Sequence, residues 1–130
     1  MCLELVAIPA EASQLSTRAV ADASGLTVTS SDRPSKGALQ FGQDRGCSCS
    51  LLADEADWSH PVWALDPRVL EGLARAVEFI AGRAKGVRFQ ALWVGETAES
   101  HERISLEELL RTIRANAVRN KHVYLVGGAG

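Results

Sequence analysis

The 130-residue chain holds 14 basic and 16 acidic residues, for a formal net charge of −2; 46% of its residues are hydrophobic and 23% charged. Such a composition suits one globular domain able to bury a core without disulfides or metals. The balanced charge speaks against a nucleic-acid partner, the short apolar runs against a membrane span, and the odd count of three cysteines against a secreted disulfide framework. No basic segment followed by an apolar run opens the sequence, so no secretory signal is expected and a reducing cytosol is the simplest compartment.

Residues 2–8 are mostly apolar and predict a central strand that Pro9 ends. A modest helix follows from about Ser13 to Ala23, with Leu15, Ala19, Val20 and Ala23 on one side and Gly25 as its stop. Leu26 to Thr29 alternate as a strand does, and Ser30 to Gly37 carry turn residues. Ala38 to Phe41 predict a short strand leading to the stretch Gly46-Cys47-Ser48-Cys49-Ser50-Leu51-Leu52, also read as a strand.

A long acidic connection over 53–66 contains Trp58, His60 and Trp63. Asp66 as N-cap and Pro67 at the first position begin the best helix, whose stripe is Val69, Leu70, Leu73, Val77, Ile80 and Ala84, with Gly86 as its end. Val87 to Val94 predict a strand with Val87, Phe89, Ala91 and Trp93 on one face and Arg88, Gln90, Leu92 and Val94 on the other. Gly95 to Arg103, with Glu96, Glu99, His101 and Glu102, read as a polar loop. Ser105 and Glu108 have capping-box spacing ahead of a helix burying Leu106, Leu109, Leu110, Ile113 and Ala117. His122 to Val126 form the last strand. Gly127 to Gly130 resemble a nucleotide loop but have no helix after them, so a mobile tail is expected there.

The element order β-α-β-β-α-β-α-β predicts an α+β domain spanning 1–130. Its mixed sheet would carry helices mainly on one face, with a ferredoxin-like βαββαβ core extended by a C-terminal αβ unit. In that reading the first and third strands are parallel neighbours, which brings Cys2 near Cys47 and Cys49. On a strand the latter two thiols share a face, about 6–7 Å apart. A Cys-x-Cys pair with a third thiol suits zinc or copper(I), or thiol redox chemistry, so Cys2, Cys47 and Cys49 are the candidate metal ligands. The opposing reading buries these cysteines as small apolar side chains. Trp58, His60 and Trp63 are candidate ligand-binding residues on the long connection, unless the tryptophans simply cover the core's edge.

No nucleophile elbow and no metalloprotease helix motif is present, so no catalytic residue is assigned and no cofactor follows from the sequence. A hydrolase or isomerase using His60 or His101 as general base is the weakest reading. A non-enzymatic binding or regulatory module is expected, a homo-oligomer whose open sheet face or tryptophan loop meets a small ligand or protein partner. The alternative is a thiol-based metal-binding or redox protein.

Overall fold

The computed structural model describes residues 3–10, 15–32, 36–42, 47–53 and 61–128. Strands β1 (Leu3–Pro9), β2 (Val28–Ser31), β3 (Ala38–Phe41), β4 (Gly86–Trp93), β5 (Ser100–Arg103) and β6 (His122–Gly127) form one sheet in the order β2-β3-β1-β4-β6-β5. Helices α1 (Thr17–Ser24), α2 (Leu70–Ala84) and α3 (Leu106–Arg114) share one face of it. The fold is therefore α+β, a mixed six-stranded open sheet with three helices.

Every neighbouring pair is antiparallel except β5 with β6. The expectation that the first and third strands run parallel is thus corrected: β1 and β3 are neighbours but antiparallel, because β3 returns from β2 in a hairpin. The polar stretch read as a loop contains β5. Ser-His-Glu-Arg leaves no apolar alternation to find, because an edge strand with three of its four residues exposed has little to bury.

The cysteine stretch is also not a strand. Cys49–Leu51 form a 3-10 turn, so the argument that Cys47 and Cys49 share a strand face falls. β3 pairs with β1 only at Val6 and Ala7. Buried Ser48 takes up the rest of that edge: its N–H donates to Leu3 O (2.7 Å) and its Oγ accepts from Leu5 N–H (3.0 Å).

Alternation builds the core. Leu3, Leu5 and Ala7 of β1 and Val87, Phe89, Ala91 and Trp93 of β4 point at the helices, where α2 buries Leu73, Ala74, Ala76, Val77, Ile80, Ala81 and Ala84. Ser16 caps α1 through Ala19 N–H and Ser105 caps α3 through Glu108 N–H, whereas Asp66 caps a 3-10 turn (Pro67–Val69) that feeds α2. No helix among the described residues is long and apolar enough to cross a membrane.

Gly86 does not stop α2 as expected. Lys85 takes the left-handed turn (φ 59°), and Gly86 opens β4 with φ 145°. A side chain there would press into the Val126 carbonyl oxygen of β6. Exposed Gly82, inside α2, has open space around it. Gly82→Ala is therefore expected to raise stability by about 0.5–1 kcal/mol, while Gly86→Ala lowers it by more than about 1 kcal/mol, in urea denaturation of the two variants.

Candidate functional site

The face of the sheet opposite the helices carries the chemistry. Register places Glu4 beside Leu92, Val6 beside Gln90 and Ile8 beside Arg88; on the other side of β4, Gln90 neighbours Val123, which neighbours His101. Above these side chains lies a cleft of about 400 Å³, lined by Glu4, Arg88, Gln90, Leu92 and His101 and closed at one end by Gly95 to Ala98. Small-molecule pockets fall within about 300–1,000 Å³.

Arg88 and Gln90 both line the cleft. Arg88 Nε donates to Gln90 Oε1 at 3.0 Å. A guanidinium can only donate, so the amide oxygen must face it and Gln90 Nε2 points the other way. Gln90 is 4% exposed, and its Nε2 has no hydrogen-bond partner among the described residues. Half-buried Arg88 makes no ion pair among the described residues, which leaves both Nη groups uncommitted. The neighbouring Arg103, by contrast, spends Nη1 on Gly127 O (2.8 Å).

A second polar cluster sits on the helix side of β5 and β6. Ser100 Oγ lies 2.6 Å from His122 Nδ1, and His122 Nε2 lies 2.9 Å from Glu102 Oε1. With Nε2–H given to the carboxylate, Nδ1 accepts the serine hydroxyl. The order serine, histidine, carboxylate is that of a nucleophilic triad. Its setting differs, since His122 is 3% exposed and packed edge-to-face on Tyr124 at 4.7 Å. Ser100 N–H is directed at Lys121 O (3.3 Å), not at a developing oxyanion. The cluster ties the edge strand to β6.

The sequence-derived candidates are placed as follows. Trp63 is 2% exposed; its Nε1–H donates to Ala91 O (3.0 Å) and its ring meets Trp93 edge-on at 4.9 Å, so both the polar and apolar parts of the side chain serve the core. Trp58, His60 and Cys2 lie outside the described residues. Cys47 and Cys49 are half-buried and outside any disulfide. Cys49 Sγ accepts from Leu3 N–H (3.3 Å), which puts the cysteine stretch beside the start of β1. Burial pushes the Cys49 thiol up, the Leu3 amide pulls it down, and the hydrogen bond with Cys47 raises it again. Among the described residues no three His, Cys, Asp or Glu side chains are gathered so as to hold a metal. His101 belongs to the cleft and does not share it with the described cysteines or Trp63.

Sequence reasoning passed over Arg88, Gln90, Ser100, Glu102 and His122. The signal for the first two was available: two polar residues two apart on one face of an otherwise apolar strand. The other three meet only through the β5–β6 register, which no spacing reveals. Comparison with protein-family models, with curated proteins and with solved structures finds no match.

His122→Ala leaves Ser100 and Glu102 without their partner and opens a space beside Tyr124. It is expected to cost about 1–3 kcal/mol in denaturant unfolding and to speed amide exchange in β5 before other strands.

Proposed function

We propose that this chain is a non-enzymatic binding module whose small ligand lies in the cleft on the helix-free sheet face. The observation that carries the reading is the pair of uncommitted donors, Arg88 Nη and Gln90 Nε2, in a cleft of ligand size. A small ligand fits better than a second copy of the chain or a partner protein. Val94, at 36%, is the one exposed large hydrophobic residue among those described, so little apolar area is offered for association. A ferredoxin-like core is a further part of this reading, supported by the order β2-β3-β1-β4 with antiparallel neighbours and by α1 and α2 on one face.

One observation favours a second reading, a thiol site for a soft metal or redox partner: Cys47 and Cys49 are within hydrogen-bonding reach of each other. The raised Cys49 thiol counts against a reactive thiolate at neutral pH. Stoichiometric zinc or copper in native mass spectra, lost on replacing both cysteines by serine, would establish it.

The cleft reading is tested by fragment screening with amide shift mapping. Binders are expected to move Gln90, Leu92, His101 and the 95–98 amides. Thr97→Trp, a bulky residue at the exposed mouth, is expected to weaken them about tenfold or more while leaving the unfolding midpoint unchanged. Fragments that shift only other regions would remove the proposal.

A further inference from the structure

We infer that the ligand of this cleft is a small organic monocarboxylate, held by the Nη edge of Arg88 and by Gln90 Nε2. The inference rests on the cleft being the ligand site and adds the chemistry of what it takes. A half-buried guanidinium keeps its charge, so partial loss of water around it is offset only by an anion or by hydrogen bonds. Among the described residues, the one hydrogen bond of the Arg88 side chain runs from Nε to a neutral amide. That bond orients the guanidinium and leaves its two Nη groups as a planar fork, the geometry that a carboxylate matches with two parallel hydrogen bonds. The same bond turns Gln90 Nε2 from the guanidinium Nε, as a neutral donor with no acceptor among the described residues. Two donor groups on side chains that line one cleft, one cationic and one neutral, neither with an acceptor among the described residues, complement one carboxylate group.

The other charges around the cleft decide between anions. Glu4 lies on the strand beside β4, and Glu96 on the closing turn. A phosphate dianion would meet two carboxylates beside Arg88 and His101, whereas a monoanion meets Arg88 with less repulsion. Leu92, on the same face as Arg88 and Gln90, supplies apolar wall for the carbon skeleton attached to the carboxylate.

The test uses isobutyrate, its near-isosteric neutral amide isobutyramide, and inorganic phosphate, each titrated into the full-length ¹⁵N-labelled protein. Isobutyrate is expected to shift the Gln90 side-chain amide and the Arg88 Nε–H resonances, with an affinity about tenfold or more above that of isobutyramide and of phosphate. Arg88→Met, which keeps the stem packed against the sheet, is expected to remove that preference. Arg88→Lys, which keeps the charge but not the fork, retains only part of it. Equal binding of isobutyrate and isobutyramide in the cleft would overturn the carboxylate assignment while leaving a ligand site. Tighter binding of phosphate than of isobutyrate would also overturn it. No shift in any cleft resonance with all three probes would also overturn the carboxylate assignment, while the cleft reading itself falls only if the fragment screen shifts other regions alone.

Discussion

The arrangement depends on the register of β4 between β1 and β6. Seven residue pairs join β1 to β4 and five join β4 to β6, so this strand is held on both edges along most of its length. Side chains on a strand alternate with a period of two, and a slip of one residue would exchange its faces. Phe89 and Trp93 would then leave the helices, and Arg88 and Gln90 would enter the core without partners. The large penalty on that exchange holds the polar pair where it is. The apolar face positions the polar one.

This gives the two faces of the sheet different roles. On the helix side, packing is apolar and the polar groups are closed on one another: Trp63 on Ala91 O, Ser100 and Glu102 on His122, Tyr124 OH accepting from Arg119 N–H. On the other side, Arg88 and Gln90 satisfy each other only in part. A fully closed hydrogen-bond network rigidifies a fold, whereas an incompletely closed one retains capacity for an outside group. Both faces hold polar side chains at low exposure, and the difference between them lies in how many donors are used.

The long periodic segments are legible in the sequence alone. The strands at 2–8 and 87–94, the helix after Asp66 and the Ser105 cap follow from spacing alone, because their residues sort cleanly between buried and exposed sides. What escaped was decided by pairing. Ser-His-Glu-Arg became a strand because β6 offered an edge, and the cysteine stretch became a turn because Ser48 satisfied the amides of β1 that β3 left unpaired. Gly86 was mistaken for a helix stop because its reason for being glycine lies in the close approach of β6, more than thirty residues further along the sequence. The candidate site divides in the same way. Arg88 and Gln90 were placed on the correct strand face, but their mutual bond and their unused donors needed three dimensions, and Trp63, conspicuous in the sequence, turned out to be internal.

The order of strands also bears on how the molecule is made. β6 is the last strand in the chain, yet it lies between β4 and β5, which precede it. As the chain emerges from the ribosome, β1 to β4 can pair with one another, but β5 has no neighbour until β6 arrives. His122, which clips β5, comes on that same strand. That side of the sheet therefore cannot be completed before β6 is available to pair with both β4 and β5. Until then the outer edge of β4, with its unpaired amides, is open to any extended segment nearby, and the nascent chain has a period of exposure that the finished fold does not reveal.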